Sequence, residues 1–312
     1  MKVLVTGSSG FVGKNFVQRL KDNHVDVVCL DATALGTEDL STWKYRLGSF
    51  TQTTLLADNF KEVESVVHLA SESHVDRSIL GPREFIDNNV AGTLELFEMC
   101  RGLPNLQSII LFGTDEVGAC LEEGSFVEKG MPFHCGSVYS ASKGAQELLA
   151  QAYIKTHGLP IVTTRCVNIF GPQQADEKFI PTVIRKAIKG ENIPIYGSGM
   201  QKRQWVSVEH VCKFLNDLCT STMVPPSSVL HITGTKEFPN IMLAHTILSL
   251  LGKPASLISH VTDRLGHDAR YALGRTDSTD AYGFPEYDES KFMEDLSATV
   301  DWYVKHYGEL KC

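Results

Sequence analysis

The amino-terminal segment contains the feature that most restricts the fold: a short apolar strand, a glycine-rich turn and then a helix. Val3–Thr6 has the β-branched composition of a strand, and Phe16, Val17 and Leu20 follow the turn at helical spacing. Residues 7–13 read GSSGFVG, with a glycine at every third position. Glycines let the backbone approach a phosphate closely, and the helix start presents free N–H groups to the anion. The pattern predicts a pyrophosphate site, although three glycines alone also fit an ordinary tight turn.

An acid follows at the position expected for a dinucleotide site. Asp31 ends the next predicted strand, Val25–Asp31, about 18 residues beyond the turn, where a carboxylate can accept hydrogen bonds from the adenosine ribose. Such an acid repels a 2′-phosphate, so the sequence favours NAD over NADP as the cofactor. Asp31 alone also fits the start of a turn.

Short apolar runs alternate with helical stretches along most of the chain, and this rhythm predicts a doubly wound parallel sheet, the Rossmann type of α/β fold. Beyond Asn168, prolines and a Gly-Ser-Gly turn mark shorter elements, which indicates a second, smaller domain. We assign 1–168 to the first domain, with 205–235 returning to it, and 169–204 and 236–312 to the second. The predicted core strands are Val3–Thr6, Val25–Asp31, Ser65–Leu69, Ser108–Gly113, Ile161–Val167 and Val229–Thr233.

Composition narrows the classes of function. The chain has 312 residues, 43% of them hydrophobic, and a formal net charge of −8, which offers no overall attraction to nucleic acid or to an anionic membrane. No apolar stretch approaches the ~18 residues of a membrane span. The eight cysteines include no C-x-x-C pair, so we expect reduced core thiols and no metal site. The first strand starts at Lys2 and leaves no room for a leader, which favours a cytoplasmic location.

A candidate reaction centre follows the strand Ser108–Gly113. This strand runs into Thr114, Asp115 and Glu116, and ligands of doubly wound sheets bind beyond the carboxyl ends of the strands. Two adjacent acids at this edge can perform proton transfer. They also fit a polar turn or a helix cap.

Tyr139 and Lys143 open the next predicted helix, Tyr139–His157. Residues four apart share one helix face, so the ammonium can lie beside the phenol. A tyrosine base near pH 7 needs its pKa, ~10 when free, lowered by about three units, or ~4 kcal/mol. Lys143 and a positive nicotinamide ring are the expected sources. The same spacing recurs without an acid cluster upstream at two places: Tyr287 and Lys291, Tyr307 and Lys311.

Longer motifs give a specific resemblance over residues 1 to about 300. The chain resembles the nucleotide-diphosphate-glucose 4,6-dehydratases of the extended short-chain dehydrogenase/reductase superfamily, whose members act on dTDP-glucose or UDP-glucose. The Thr-Asp-Glu triplet is the most specific part, because the sister epimerases and decarboxylases differ at that strand end. The matching motifs are HLASESHVDRSI at 68–79, TDEV at 114–117, YSASK at 139–143, EKFIP at 177–181, PIYG at 194–197 with Arg203 and Trp205, and DRLGHDARY at 263–271.

The resemblance implies a reaction in three steps with no net redox change. Tyr139 takes the proton of the carbon 4 hydroxyl as hydride leaves for NAD⁺, and Thr114 orients the sugar. Glu116 then removes the carbon 5 proton while a protonated Asp115 donates to the departing carbon 6 hydroxyl, and hydride returns to carbon 6. Two neighbouring acids with opposite proton tasks need different environments, one ionised and one neutral. The product, a 4-keto-6-deoxy sugar, belongs to deoxysugar biosynthesis such as that of rhamnose.

The resemblance also assigns the binding residues. The NAD-binding residues are Gly7, Gly10, Phe11, Val12, Gly13, Asp31, Ser49, Phe50, Leu69, Ala70, Asn88, Tyr139 and Lys143. The nucleotide-sugar-binding residues, mostly in the second domain, are Ser73, Asn168, Lys178, Phe179, Pro194, Tyr196, Arg203, Asn240, Asp263, Arg264, His267 and Tyr271. The chain departs from the family pattern after Asp31, at Ser49, where an Asp is usual, and after Val117. These departures concern the adenosine side and the pocket wall.

Two further expectations complete the sequence-based picture. The apolar faces of the helices Pro82–Cys100 and Tyr139–His157 pack between subunits in the family, so we expect a homodimer, although burial within one subunit also explains them.

The alternatives to a dehydratase are a nucleotide-sugar 4-epimerase or decarboxylase of the same superfamily, and a non-catalytic NAD-binding sensor. The choice between uracil and thymine stays open, because it depends on contacts of only ~1–3 kcal/mol.

Overall fold

A seven-stranded sheet forms the centre of the protein, with the strand order β11-β6-β5-β4-β1-β2-β3. Every neighbouring pair in it is parallel. The predicted doubly wound fold is therefore confirmed, and all six predicted strands belong to this sheet. The computed structural model describes residues 1–31, 42–43, 60–118, 133–220, 226–263, 269–270 and 272–309.

The bounds of the elements follow the chain. The strands are β1 Lys2–Thr6, β2 Asp26–Leu30, β3 Thr42–Trp43, β4 Ser65–His68, β5 Ser108–Thr114, β6 Ile161–Cys166, β7 Asn168–Phe170, β8 Ile193–Tyr196, β9 Lys202–Arg203, β10 Trp205–Ser207, β11 Val229–Ile232, β12 Phe238–Pro239 and β13 Ile258–Val261. The α-helices are α1 Phe11–Asp22, α2 Val75–Leu80, α3 Pro82–Phe85, α4 Gly92–Cys100, α5 Val138–His157, α6 Phe179–Lys189, α7 Val208–Thr220, α8 Asn240–Leu250, α9 Asp277–Ala281 and α10 Glu289–Glu309.

Both faces of the sheet are buried, which explains why its strands are apolar throughout. In β1, Val3 and Val5 join one core cluster, which also contains Phe16 of α1. Leu4 faces the opposite cluster, with Phe97 of α4. Successive side chains of a strand point to opposite faces, so a strand covered on both sides needs apolar residues at every position.

Three small two-stranded pairs form outside the main sheet. Both strands of one pair lie between β6 and β11, whereas β8 and β9 of that segment pair with strands that follow β11. β7 pairs with β10, β9 with β12 and β8 with β13. The chain then returns to the main sheet, where β11 pairs with β6 from Val229 to Ile232. The division of the chain into two interleaved domains remains a prediction.

The helix expected over Pro82–Cys100 is not regular. Between α3 and α4, Ile86–Ala91 forms a π-helical segment. Asn89 within this segment is buried. Its side-chain oxygen accepts a hydrogen bond from the Glu72 N–H, and its side-chain nitrogen donates to the Glu72 carbonyl. The same nitrogen donates to Ser142 Oγ on α5 at 2.8 Å. The widened turn therefore seats an amide between two other segments, a role that π-segments often have near functional sites.

Two predictions from composition can be compared with the structure. Within the described ranges, no helix has the length and apolar character needed to cross a bilayer. Five of the predicted core thiols are buried: Cys29, Cys100, Cys166, Cys212 and Cys219. Cys135, in contrast, is exposed, because it lies in the segment that approaches the start of α5. Cys120 and Cys312 are outside the described residues.

Candidate active site

The glycine turn between β1 and α1 has the geometry of an anion site. Gly7 has a φ of +69°, and a Cβ there would lie 2.6 Å from the backbone nitrogen of Ala70, so only glycine fits. Gly10 caps α1 without any side-chain hydrogen bond, and the first turn of the helix carries no acid. The Ser9 N–H donates to Asp31 Oδ2 at 2.8 Å. The turn, its free helix N–H groups and Asp31 therefore fit the pyrophosphate and ribose of NAD.

The acid triplet lies at the carboxyl end of β5, at the centre of the sheet. Thr114 ends the strand, and a single 3₁₀ turn holds Asp115 and Glu116. Thr114 Oγ1 accepts from the Glu116 N–H at 3.3 Å and donates to Asp115 Oδ1 at 3.2 Å. The triplet thus caps its own turn and keeps both carboxyls at the ligand edge of the sheet.

Asp115 is only 4% exposed, and its Oδ2 has no hydrogen-bond partner among the described residues. Burial and the neighbouring Glu116 carboxylate raise the pKa of Asp115 well above its ordinary value, and Arg203 opposes them only in part. A buried carboxyl without enough donors is more stable protonated. The surroundings of Asp115 therefore favour its protonated form, which is the form that a general acid requires.

Tyr139 and Lys143 lie in the first turns of α5, which Ser137 and Ser140 begin with a reciprocal capping box. Lys143 is 4% exposed, and its Nζ donates to the Phe112 carbonyl oxygen of β5 at 2.7 Å. Burial lowers the pKa of Lys143 to about 8, while Glu147, one helical turn further along, raises it. The ammonium is thus anchored to the strand that carries the acids.

The environment of Tyr139 differs from the expectation of a lowered pKa. Burial, and then the charge of Glu116, raise the pKa of the phenol, while a hydrogen bond with the Thr114 hydroxyl lowers it. The protein groups around Tyr139 therefore keep the phenol neutral. Lowering its pKa requires positive charge beside the ring, which the nicotinamide of bound NAD⁺ would bring.

A cavity of about 410 Å³ connects the glycine turn with the acids. Ser71, Cys166 and Gln174 also line it, and the sequence analysis assigned no role to any of the three. The sequence could have indicated these residues by their position, because Ser71 follows β4, Cys166 ends β6 and Gln174 follows β7. The predicted residues that line this cavity are Gly7, Gly10, Phe11, Val12, Gly13, Leu69, Ser73, Thr114, Asp115, Glu116, Tyr139, Lys143, Asn168, Lys178 and Phe179.

A second cavity of about 300 Å³ adjoins the first and shares part of its lining. Trp205 and Glu177 line both cavities, and both lie in motifs quoted above without having been assigned a role. The predicted substrate residues around the second cavity are Ser73, Asn168, Lys178, Phe179, Pro194, Tyr196, Arg203 and Asn240. The two cavities meet at Glu116, which lines both.

Other predicted residues do not line either cavity. Asn88 is exposed on the π-segment, while its neighbour Asn89 is the buried one. Asp263 is exposed and accepts a hydrogen bond from Gln201, which lines the second cavity. Ala70 borders the turn at Gly7. Five predicted residues lie outside the described residues: Ser49, Phe50, Arg264, His267 and Tyr271.

The other two tyrosines with a lysine four residues later have structural roles. Tyr287 is buried and donates to Asp295 Oδ2 at 2.9 Å. Tyr307 binds the Asp176 carboxylate. Neither tyrosine lines either of the two cavities. The structure therefore brings only Tyr139 to the glycine turn and the acids.

Comparison with known proteins shows the family of this chain. Residues 3–222 match the model of the NAD dependent epimerase/dehydratase family. A dTDP-glucose 4,6-dehydratase of Xanthomonas campestris is 38% identical and aligns over 96% of this chain and 92% of its own length. The crystal structure of DesIV, a dTDP-glucose 4,6-dehydratase from Streptomyces venezuelae solved with NAD, superposes with a TM-score of 0.88 at 32% identity, covering 99% and 98% of the two chains.

MoeE5 in complex with UDP-glucose and NAD gives a TM-score of 0.88 at 26% identity and covers 98% of this chain and all of its own. The predicted resemblance and the NAD cofactor are thus confirmed at the level of the family. From its glycine turn, its fold and these matches, the chain belongs to the NAD dependent epimerase/dehydratase family.

Proposed function

We propose that the protein is an NAD-dependent nucleotide-diphosphate-glucose 4,6-dehydratase, which converts the substrate to the 4-keto-6-deoxyglucose derivative. The names of the similar proteins support this activity. The observation that carries the proposal is the position of the buried Asp115 beside Glu116, within the cavity that contains Tyr139. An adjacent acid and base are what an elimination of water needs and a simple epimerisation does not.

In the first step, Tyr139 removes the proton from the carbon 4 hydroxyl. The Thr114 hydroxyl lies within hydrogen-bond reach of the phenol and would orient the sugar. Bound NAD supplies a reversible acceptor for the hydride. Gly10, Phe11 and Val12 would hold its pyrophosphate at the start of α1, and Lys143 would hold its ribose while its charge attracts the phenolate.

In the second step, the new 4-ketone acidifies the carbon 5 proton. Glu116 removes this proton, and Asp115 gives its own proton to the departing carbon 6 hydroxyl. The shared 3₁₀ turn keeps the base and the acid adjacent, and the hydrogen bond from Thr114 to Asp115 Oδ1 fixes one oxygen of the acid. The other oxygen, Oδ2, is left to carry the proton that is transferred.

The second cavity would take the nucleotide diphosphate. Arg203 is buried and contributes to its lining, and its planar guanidinium suits phosphate oxygens. Asn168, Lys178 and Asn240 offer further polar contacts there. Arg264, His267 and Tyr271 remain predicted contacts, as do Ser49 and Phe50 on the adenosine side. Cytoplasmic location and a part in deoxysugar biosynthesis such as that of rhamnose remain predictions from the resemblance.

The direct test is incubation with dTDP-glucose and UDP-glucose followed by mass spectrometry. We expect a product lighter than the substrate by one water, because elimination precedes the return of hydride. The two nucleotides in parallel also measure the preference between thymine and uracil. A product of unchanged mass would identify an epimerase and contradict the proposal. Loss of carbon dioxide from the glucuronate analogue would identify a decarboxylase instead.

Homodimer formation is also part of the proposal. Ile86 in the π-segment, Leu94 on α4 and Leu148 on α5 are 45%, 37% and 55% exposed. The helices that carry them pack against each other, so the three side chains lie on neighbouring elements. Apolar side chains exposed close together indicate a protein–protein contact.

A charge in this surface should break the dimer. In a two-fold interface each substitution occurs twice, so Leu148→Glu would bury two carboxylates and give a monomer in analytical ultracentrifugation. Met293→Glu, on α10 and 38% exposed, is the matched control and should leave the dimer intact. A monomeric wild-type protein at micromolar concentration, or a dimeric Leu148→Glu variant, would contradict this interface.

A further inference from the structure

A buried ion pair lies directly beneath the catalytic strand end, and the proposed chemistry does not use it. Glu147 and Arg165 are 3% and 1% exposed. Arg165 donates to the Glu147 carboxylate from Nη2 at 2.8 Å and from Nε at 3.1 and 3.2 Å. Burying two charges is costly, and such a pair is often no more stabilising than apolar residues of the same volume. Stability alone therefore does not explain why Glu147 and Arg165 are buried together.

Arg165 is held from other sides as well. His231, its neighbour in register on β11, lies with Nε2 3.5 Å from Nη1. Burial lowers the pKa of His231 to about 4, so the ring is neutral, and its Nδ1–H donates to the Gly274 carbonyl at 2.8 Å. Nε2 is then an acceptor for Arg165. The ring of Phe133 lies 5.6 Å from the guanidinium carbon. These contacts fix Arg165, and Arg165 in turn fixes the Glu147 carboxylate.

The fixed carboxylate approaches β5 at the residue before the acid triplet. A Cβ on Gly113 would lie 3.4 Å from Glu147 Oε1, so the carboxylate is next to this residue. The same Cβ would lie 2.4 Å from the Thr164 carbonyl oxygen, and only glycine fits that distance between the two strands. The carbonyl of Phe112, one residue earlier, accepts the hydrogen bond from Lys143 Nζ. Lys143 and Glu147, one helical turn apart on α5, therefore approach two adjacent residues of β5: the ammonium contacts Phe112, and the carboxylate lies beside Gly113.

The charge of Lys143 depends on this neighbour. Burial lowers the pKa of Lys143 to about 8, and Glu147 is the group that raises it. His68 on β4 is neutral, because burial and the charge of Lys143 lower its pKa to about 3. Besides Glu147 with its partner Arg165, the ionisable groups that face Lys143 are His68 on β4 and the residues that line the same cavity, Asp115, Glu116, Tyr139 and Cys166.

We propose that Glu147, fixed by Arg165, is a positioning residue of the catalytic centre, whose carboxylate keeps the Lys143 ammonium charged and seated on the Phe112 carbonyl. A neutral lysine would no longer attract the phenolate, so the proton would stay on Tyr139. The inference rests on the proposed function for its effect on turnover. Its effect on Lys143 itself can be measured without turnover.

The experiment is an NMR titration of the protein with ¹³Cε-labelled lysine, in which Lys143→Met assigns the signal. In the wild-type protein we expect a midpoint near the pKa of about 8. In Glu147→Gln the midpoint should fall by about one unit or more, which moves the proton equilibrium between Lys143 and Tyr139 about tenfold. We expect kcat with the nucleotide-sugar substrate to fall about tenfold, with KM unchanged.

Two further variants separate this role from a structural one. Glu147→Gln leaves a buried Arg165 unpaired, so if it fails to fold, Glu147→Gln/Arg165→Met removes both charges and carries the same expectation. Glu237→Gln is the matched control, because it breaks a two-bond pair with Arg270 and should leave the Lys143 midpoint unchanged. An unchanged midpoint in the folded Glu147 variants, or an equal shift in Glu237→Gln, would overturn the proposal. Absence of dehydration by the wild-type protein would count against the proposed function alone.

Discussion

Replacing Tyr139 with phenylalanine is expected to lower kcat by roughly 10³-fold, within the usual range for loss of a general base, while NAD and nucleotide-sugar binding persist. The ring is buried and packs edge-on against Phe85 with the centroids 6.4 Å apart, so phenylalanine fills the same space. Only the hydroxyl that takes the carbon 4 proton is lost. Stopped-flow measurement of reduced cofactor, together with product formation, checks the result, and both should fall by the same factor because oxidation comes first.

The chain contains a matched control in Tyr287, which also precedes a lysine by four residues and is also buried. Its hydroxyl donates to Asp295 and lies away from the cavity. Tyr287→Phe should keep its full kcat and lose about 1–3 kcal/mol of stability, because a buried hydrogen bond is removed. Full turnover by Tyr139→Phe, or an equal loss in Tyr287→Phe, would show that Tyr139 is not the base.

The sheet could be predicted from sequence because parallel strands covered on both faces have a plain signature. Val66 and Val67 of β4 are both fully buried, as are Ile109 and Ile110 of β5. Continuous apolar runs of this kind are distinguishable from the helices between them by length and β-branching. Thr42–Trp43, the two-residue edge strand, has no such run, so nothing in the sequence marks it.

The position of the acids could be predicted from topology alone, since β5 ends at Thr114 and ligands bind beyond the strand ends. The protonation states of these two acids could not be predicted from the sequence. The pKa of Asp115 is raised because the carboxyl is buried beside Glu116, and burial depends on the whole fold. The same limit applies to Tyr139, whose pKa was expected to be lowered and is raised by burial.

The ion pair of Glu147 and Arg165 shows a further limit of sequence reasoning. Arg165 lies within an otherwise uncharged strand that is buried at every position. The sequence shows that Arg165 is a charged residue within an apolar strand. It does not show that its partner is Glu147, 18 residues away on α5. Asn88 is exposed on the π-segment, and its contact with NAD remains a prediction.

Replacing Glu116 with glutamine should stop the reaction between oxidation and elimination. Tyr139 can still form the 4-ketone, since removing the Glu116 charge takes away an influence that raises the pKa of the phenol. The amide cannot accept the carbon 5 proton, so kcat should fall by roughly 10²–10⁴-fold. Reduced cofactor should then accumulate to a stable level after substrate is added, and its absorbance is the measurement. A variant that turns over fully, or forms no reduced cofactor, would contradict the assignment of Glu116.

The companion variant Asp115→Asn separates the base from the acid. It should also accumulate reduced cofactor, because the asparagine amide has no proton to give to the departing carbon 6 hydroxyl. Glu116 remains in that variant and can remove the carbon 5 proton reversibly, so in deuterated water the sugar should gain deuterium at carbon 5. Glu116→Gln should gain none. Deuterium at carbon 5 in Glu116→Gln but not in Asp115→Asn would reverse the two roles, and with them the conclusion that the buried carboxyl is the neutral acid.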